Sequence, residues 1–405
     1  MKVTAIETIR VKEIPNGLWV QVHTDEGLVG LGETFFGPRA VSTYIHESVA
    51  PYLLGKDPLL IDRHSRVLLN PILGYNCTGV EMRGNSAVDI ALWDIFGQAT
   101  GLPIHQLLGG RNRDRVRVYN TCAGYLYGRG RADQNSTGNW GLQTRNASRP
   151  YEDLDAFMHR ADELAESLLS EGITGMKIWP FDPAAELTDG VYISKPELEK
   201  ALEPFRKIRK AVGNKMDIMV ELHCMWNLPA AKRIAQALEE FDPFWFEDPI
   251  KMDNLSALQE YARSTRVQVT ASETLATRWT FRELMERRAV GVVMLDLSWV
   301  GGISEAKKIA TMAEAHQLPI APHDCTGPVV WISSIHLSVN APNALVQESV
   351  RAYYTSWYRD LVTELPRIEN GYAYPLTGPG LGTRLLPDLF KRDDVIVEKT
   401  TLQGL

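Results

Sequence analysis

Three apolar runs that each end on a glutamate constrain the fold of this chain more than any other feature of its sequence. The runs read DIMVE, FWFE and VTASE, and 26 residues separate Glu221 from Glu247 and Glu247 from Glu273. An interval of this length fits one strand, one helix and two short turns. The three carboxylates are therefore expected at the C-terminal ends of neighbouring parallel strands, where they would converge on one point.

Converging carboxylates of this kind predict a metal site. Carboxylate oxygens on a rigid rim suit a hard, octahedral cation, which makes Mg²⁺ the first choice. Glutamates are also common at loop mouths without any ligand, but each of these three closes an apolar run at the same phase of the repeat. We therefore predict that Glu221, Glu247 and Glu273 bind Mg²⁺.

The composition restricts the class of protein. At 405 residues, 44% of them hydrophobic, the chain is long enough for a barrel and a smaller domain. No apolar run approaches the length of a membrane span, and a net charge of −7 without basic clusters argues against a nucleic-acid partner. The four cysteines, which form no CxxC pair, fit reduced thiols in a cytoplasm. They are Cys77, Cys122, Cys224 and Cys325.

The first 114 residues are predicted to form a small α+β domain. A β-hairpin is expected around the turn Pro15-Asn16-Gly17, followed by a third strand and several helices. The predicted strands are 3–12, 18–24 and 29–33, and the predicted helices are 40–53, 60–69 and 85–97.

From residue 115 onward, apolar runs alternate with helical patterns. The predicted strands are 115–120, 175–179, 217–221, 244–247, 267–271, 292–296, 318–322 and 344–347. They are hydrophobic throughout instead of alternating, which is typical of a closed parallel barrel buried on both faces. We assign this barrel to residues 115–363, and we expect the tail 364–405 to return to the N-terminal domain.

The segment 122–150 interrupts this rhythm. It is rich in Gly, Asn, Arg and Ser and has no clear period. Long loops inside compact domains are usually functional lids or disordered segments, so we interpret it as part of the roof of the site, with a linker as the alternative. Substrate contacts are expected from this loop and from loops 15–24 and 34–39. The candidates in the roof loop are Tyr125, Tyr127, Arg129, Arg131 and Trp140, and a tyrosine of this loop stays open as an alternative base.

Eight phrases in this order cover nearly the whole chain: AVDIALWDIFGQATGLPIHQLLGG, GMKIW, VELH, WFEDP, SET, LDLSWVGGIS, APHD and VQES. Together they resemble the enolase superfamily, mandelate racemase subgroup. The resemblance implies an α/β fold: a modified TIM barrel of the (β/α)7β type with an α+β capping domain made from both termini. It also implies a divalent metal, normally Mg²⁺, abstraction of the proton α to a carboxylate to give an enediolate, and a homo-oligomer.

Four further residues fit this chemistry. Lys177 would stabilise the charge that develops on the substrate carboxylate, unless it is a surface lysine. His323 and Asp296 end adjacent strands and resemble the His/Asp dyad of the subgroup, with His323 as general base and Asp296 fixing its tautomer. Glu348 is expected to hold the substrate carboxylate or to hydrogen-bond near the metal.

His223, two positions after Glu221, distinguishes between reaction classes. Strand alternation would put both side chains on the same side. Glu or Asp followed two residues later by His resembles the acid sugar dehydratases, in which that histidine protonates the departing β-hydroxyl. The alternative is a loop residue packed against Trp226.

The second strand departs from the racemase pattern. Racemases and cycloisomerases of this type usually carry Lys-x-Lys there, but this chain has Lys177-Ile178-Trp179, and an indole cannot take a proton. We therefore predict a Mg²⁺-dependent lyase that dehydrates an aldonate or aldarate to a 2-keto-3-deoxy acid. An isomerase or cycloisomerase of a sugar acid or lactone, and a catalytically silent sugar-acid binding protein, stay open as alternatives.

Overall fold

The computed structural model describes residues 1–70, 78–129 and 151–402, and the N-terminal part of the chain forms an α+β capping domain. Its elements are β1 (Val3–Val11), β2 (Ile14–Thr24), β3 (Val29–Phe35), α1 (Pro38–Tyr44), α2 (Ala50–Leu53), α3 (Ile61–Leu68), α4 (Val80–Thr100) and α5 (Ile104–Leu107), with a π-helical turn Ile45–Val49. Strands β1, β2 and β3 pair in antiparallel order. Helix α4 lies directly on β3, because a Cβ at Gly32 would stand 1.8 Å from the carbonyl oxygen of Ala87.

The turn of the first hairpin lies earlier than the sequence predicts, so this prediction was wrong. The predicted turn, Pro15-Asn16-Gly17, lies within β2, and residues 12–13 make the turn instead. Tertiary contacts outweigh the local turn preference of these residues. The strand pairs with β3 from residue 17 onward, and Asn16 Nδ2 donates a hydrogen bond to the carbonyl of Gly128 at 2.8 Å.

The second half of the chain forms a parallel sheet that curls into a barrel. Its strands are β4 (Val116–Thr121), β5 (Gly175–Ile178), β6 (Asp217–Glu221), β7 (Trp245–Glu247), β8 (Val269–Ala271), β9 (Val292–Leu295), β10 (Ile320–Pro322) and β11 (Gln347–Ser349). Neighbours in sequence pair from β4 to β10, and β11 pairs with β4. A parallel bridge between Ala344 and Ile320 connects the segment before β11 to β10, so the last strand lies between the two edges. The predicted α/β barrel is confirmed.

The last barrel strand begins later than predicted. The sequence suggests residues 344–347, whereas β11 starts at Gln347, because Ala344 makes only the single bridge to Ile320 before regular pairing with β4 begins. This difference brings Glu348 into the middle of the strand.

Helices separate the barrel strands and cover their outer faces. They are α6 (Asp153–His159), α7 (Ala161–Ser170), α8 (Asp182–Thr188), α9 (Lys195–Val212), α10 (Leu228–Leu238), α11 (Leu255–Arg263), α12 (Thr277–Glu286), α13 (Gly302–Ala315), α14 (Pro328–Asn340) and α15 (Arg351–Tyr354). Within the described ranges, no helix combines the length and the hydropathy needed to cross a membrane.

The tail divides between the two parts of the molecule. It contains β12 (Arg367–Glu369), β13 (Tyr372–Tyr374) and β14 (Val395–Thr401). Strand β14 pairs antiparallel with β1, as expected for a tail that returns to the capping domain. The hairpin of β12 and β13 instead extends the barrel sheet at β4, which the sequence did not indicate.

Three buried carboxylates connect the capping domain to the rest of the chain by accepting hydrogen bonds from backbone N–H groups. Asp89 of α4 accepts from Ser304 N at 2.9 Å, Asp94 from Leu381 N at 2.8 Å, and Glu33 of β3 from Val330 N at 2.8 Å. Burial raises the pKa of Asp89 and Asp94 to about 7 and that of Glu33 to about 8. Buried carboxylates with directional partners hold the capping domain in one orientation over the barrel.

A buried histidine pair lies at a further contact between the domains. His105 Nδ1 and His336 Nδ1 are 2.9 Å apart, and their rings stack with centroids at 5.1 Å. Both side chains are buried, His105 with 4% exposure and His336 with none. Burial lowers the pKa of His105 to about 4 and that of His336 to about 3. One ring therefore donates to the other, and both are neutral.

We expect the free energy of unfolding to fall between pH 6.5 and pH 4 because of this pair. The unfolded histidines take up protons below about pH 6.5, whereas the folded ones resist, so their contribution is full above that pH and is lost as the pH falls toward the folded-state values. Each proton contributes a slope of up to about 1.4 kcal/mol per pH unit. His336→Leu should reduce the slope in urea unfolding, and exposed His316→Gln should not; an unchanged slope in His336→Leu would contradict this prediction.

Candidate active site

Three carboxylates meet at the C-terminal ends of neighbouring barrel strands. Glu221 and Glu247 end β6 and β7, where they lie opposite each other in the register, and Glu273 follows β8. One oxygen from each lies within 4.8 Å of the others, and Glu221 and Glu247 are buried. The structure thus brings together the three predicted ligands. Three carboxylates facing one point form a donor set that fits a hard divalent cation.

The ammonium group of Lys177, on β5, lies among the same carboxylates. Its Nζ is 3.3 Å from Glu221 and 2.9 Å from Glu348, and it also contacts Glu247. Only 2% of Lys177 is exposed, so it is not a surface lysine. Burial lowers the pKa of Lys177, but the surrounding carboxylates outweigh burial and hold it well above its usual value. Lys177 is therefore a fixed positive charge.

Negative charge remains crowded around this lysine. Burial and the Glu221 carboxylate raise the pKa of Glu247 well above its usual range even though Lys177 is in contact with it. Carboxylates this close repel one another unless a proton or a cation intervenes. The site therefore favours the binding of a further positive charge.

His323 and Asp296 form a pair on adjacent strand ends. Asp296 accepts from His323 Nδ1 at 2.7 Å and from the backbone N–H of Ser298 at 2.6 Å. The His323 ring also stacks on Trp299, with centroids 5.5 Å apart. These contacts fix the ring and direct Nε2 toward the carboxylates, 2.8 Å from Glu273. Burial lowers the pKa of His323, but Glu273 and the other carboxylates outweigh it and raise it well above its usual value.

Glu348 is fully buried on β11, and both of its oxygens have partners. One accepts from Lys177 Nζ at 2.9 Å and from the Thr121 hydroxyl, and the other accepts from the backbone N–H of Asp324 at 3.0 Å. Because a carboxylate repels a second carboxylate, this arrangement fits a residue that hydrogen-bonds near the metal better than one that holds the substrate carboxylate. Glu348 thus contacts Lys177 on one side and lies 3.9 Å from His323 Nε2 on the other.

His223 lies just beyond the end of β6 and has a partner that the sequence analysis missed. Its Nδ1 is 2.8 Å from Oδ2 of Asp182, a fully buried carboxylate at the start of α8. Burial lowers the pKa of His223, but Asp182 and Glu221 outweigh it and raise it to about 9. Asp182 therefore keeps the imidazole protonated near neutral pH. The position of Asp182, three residues after Trp179 and at the start of the next helix, could have indicated this partner in the sequence.

A left-handed turn, not strand alternation, orients His223. The strand ends at Glu221, and His223 has a φ of 48°, with its backbone N–H donating to Glu221 Oε1 at 2.6 Å. Its ring packs edge-on against Trp179 at a centroid distance of 5.6 Å. The residue is thus held over the site by the metal-ligand candidate itself.

The described part of the roof loop contributes aromatic side chains that pack near the site. Tyr127 packs against Trp179 with ring centroids 5.5 Å apart, and burial raises the pKa of its phenol well above the usual value, which disfavours Tyr127 as a base. Arg129 forms an ion pair with Glu13 of the capping domain through Nη2 at 3.0 Å, whereas its Nε and Nη1 are buried without a hydrogen-bond partner among the described residues. Tyr125 lies against Arg129. Arg131 and Trp140, also predicted as substrate contacts, lie outside the described residues.

This type of site is the one that defines the enolase superfamily. It combines carboxylates, a buried ammonium and two histidine–carboxylate pairs at the C-terminal ends of barrel strands, beneath a capping domain. Residues 160–389 match the family model described as enolase C-terminal domain-like. Residues 4–109 match the mandelate racemase / muconate lactonizing enzyme, N-terminal domain. The chain therefore belongs to the mandelate racemase/muconate lactonizing enzyme family of the enolase superfamily.

Similar proteins include named dehydratases. The chain is 30% identical over 404 residues to a D-xylonate dehydratase of Haloferax volcanii, covering 99% of this chain and 90% of the relative. It is 31% identical over 392 residues to a D-galactonate dehydratase of Verminephrobacter eiseniae, covering 95% and 92%. A crystal structure of an enolase of the mandelate racemase subgroup from Agrobacterium tumefaciens matches with a TM-score of 0.88, 55% identity and full coverage of both chains.

Glu247→Gln should weaken Mg²⁺ binding by at least about tenfold, because it removes the central carboxylate of the three. The matched control is Glu240→Gln, which makes the same chemical change on an exposed residue. Titration calorimetry with Mg²⁺ measures both, and the far-UV circular dichroism spectrum checks the fold. Undiminished binding in Glu247→Gln would remove this residue from the metal site.

Proposed function

We propose that the protein is a Mg²⁺-dependent dehydratase that converts a sugar acid, an aldonate or aldarate, to a 2-keto-3-deoxy acid. The observation that carries the proposal is the pair of histidines, each with its own buried carboxylate, beside one carboxylate cluster. Dehydration needs one base for the α-proton and one acid for the β-hydroxyl. The named dehydratase relatives, at about 30% identity, support the same reaction class.

The substrate carboxylate would bind beside Lys177. Removal of the α-proton places a second negative charge on that group, and the buried ammonium stabilises it without reorganisation. Mg²⁺ bound by Glu221, Glu247 and Glu273 would supply further fixed positive charge and offset the carboxylates around His323. Glu348 keeps Lys177 aimed at the substrate.

His323 would take the α-proton through Nε2. Its Nδ1–H donates to Asp296, which fixes the tautomer and stabilises the imidazolium that forms. The stacked ring of Trp299 limits rotation of the imidazole. The base is therefore held in one orientation before substrate binds.

His223 would protonate the departing β-hydroxyl. The imidazole is kept charged by Asp182 and lies next to Glu221, above the same cluster. An isomerase with two bases would need a proton acceptor at Trp179, where the indole offers none. The presence of both histidine–carboxylate pairs, one for the base and one for the acid, also argues against a silent binding protein.

The proposal includes a cytoplasmic location and a homo-oligomeric enzyme acting on a small-molecule acid sugar. In the described ranges, Cys122, Cys224 and Cys325 are free thiols, as a reducing compartment would keep them. The family resemblance supports the oligomer.

His223→Asn should separate the two proton transfers. Lys177 and the His323–Asp296 pair remain, so the α-proton can still exchange with solvent, while loss of the general acid should slow dehydration by about 10²–10⁴-fold. One NMR time course in D₂O on a turned-over acid sugar follows both signals. If both rates fell by the same factor, His223 would position the substrate instead of donating a proton.

The opposite variant, His323→Asn, serves as the control for the same experiment. It should abolish α-proton exchange and dehydration together, because no base remains. Exchange at the wild-type rate in His323→Asn would assign the base elsewhere.

Asp182→Asn should slow dehydration by about tenfold or more and leave α-proton exchange nearly unchanged, because the amide no longer stabilises protonated His223. The matched control is Asp189→Asn at the other end of α8, where the left-handed backbone (φ of 51°) accepts asparagine. Equal loss of both rates in Asp182→Asn, with a lowered unfolding midpoint, would make Asp182 a structural residue only.

A further inference from the structure

Arg83, in the first turn of α4, has no bonded acceptor for its side chain in the part of the chain that the structure describes. No ion pair or hydrogen bond of its side chain is found among those residues, and its Nε is buried without a partner. The guanidinium carbon lies 5.8 Å from the ring centroid of Phe36 and 5.9 Å from that of Trp299. A guanidinium has five donors, and a buried donor without an acceptor is unfavourable. Arg83 is thus poised to bind an anion.

A stacked aromatic wall connects Arg83 to the proposed base. Phe36 stacks on Trp299 with centroids 5.3 Å apart, and Trp299 stacks on His323 at 5.5 Å. The Trp299 indole N–H donates to the carbonyl of Phe35 at 3.1 Å, which fixes the wall to the capping domain. A continuous series of aromatic contacts therefore runs from Arg83 to His323.

The separation along this wall is short. Adding the 5.9 Å and 5.5 Å spacings puts the guanidinium carbon no farther than 11.4 Å from the centroid of the His323 ring. Burial lowers the pKa of Arg83, while the charge of Asp296 raises it, so the guanidinium lies within electrostatic reach of the dyad. An arginine remains charged under these conditions.

We propose that Arg83 binds the distal carboxylate of a six-carbon sugar diacid, so that the substrate class is an aldarate. This inference rests on the proposed dehydratase function. From C2, where His323 acts, to C6 an extended chain measures roughly 5 Å, given a C–C bond of about 1.5 Å. A contact of about 3 Å at each end brings the span to roughly 11 Å, which is comparable to the 11.4 Å upper limit on the distance between the guanidinium carbon and the His323 ring centroid.

Charge and shape both favour a carboxylate at this position. The centre of the site is rich in carboxylates, so a second substrate carboxylate needs a cation of its own at the distal end. The planar fork of a guanidinium matches the two oxygens of a carboxylate. The hydroxymethyl end of an aldonate would leave the half-buried guanidinium of Arg83 without an anionic partner.

The test compares each hexaric acid with the hexonic acid of the same configuration: glucarate with gluconate, galactarate with galactonate, and mannarate with mannonate. The wild-type enzyme with Mg²⁺ should have a higher kcat/KM for one diacid than for its monoacid. Arg83→Gln should lower kcat/KM for that diacid about 10- to 100-fold, mainly through KM, as expected for lost hydrogen bonds between charged groups. The monoacid should be affected much less, and Arg83→Lys should recover part of the loss.

The matched control is Arg66→Gln, which removes one positive charge from an exposed position of α3. Preference for a monoacid or for a C6-phosphorylated hexonate, or an equal loss on both substrates in Arg83→Gln, would overturn the assignment. If no acid sugar is dehydrated and none exchanges its α-proton, the proposed function fails. Calorimetric binding of the diacids then decides on Arg83 separately, because affinity unchanged by Arg83→Gln would exclude it as their anion site.

Discussion

The site depends on one electrostatic arrangement, a buried ammonium enclosed by carboxylates from different strands. Lys177 contacts Glu221, Glu247 and Glu348, which end or lie on three separate strands of the barrel. In water these side chains would repel or move apart. The barrel holds them because each is attached to a buried, hydrogen-bonded strand, so the energy of folding maintains the unfavourable concentration of charge. This concentration of negative charge around one ammonium favours the binding of cations and produces a fixed electrostatic field in the site.

The capping domain extends this arrangement. Glu33, Asp89 and Asp94 bind backbone N–H groups across or near the domain boundary and set the orientation of β3 and α4. The same elements bring Phe36 and Arg83 to the aromatic wall at Trp299. The proposed acid and base are thus supported by the barrel, while the distal side of the substrate would face the capping domain.

Much of the architecture could be predicted because βα periodicity is a local property of the chain. Strand ends in a parallel barrel share one face, so Glu221, Glu247 and Glu273 could be grouped from their spacing. The turn at residues 15–17 could not be predicted, because pairing with β3 overrides the preference of those residues for a turn. The start of β11 was missed for a related reason, since only the neighbouring strands define where pairing begins.

The sequence by itself determined the class of fold and the grouping of the carboxylates, because both follow from the repeat of apolar runs and the residues that end them, and it pointed to the two histidines by their position at or just after strand ends. Only the tertiary structure decided which groups are partners. Asp182 reaches His223 across 41 residues of sequence, and Arg83 meets Trp299 from the other domain. Such contacts depend on how separate elements pack, and no local periodicity encodes them. The pairing of charges, which sets pKa values and substrate contacts, is therefore a property of the folded chain.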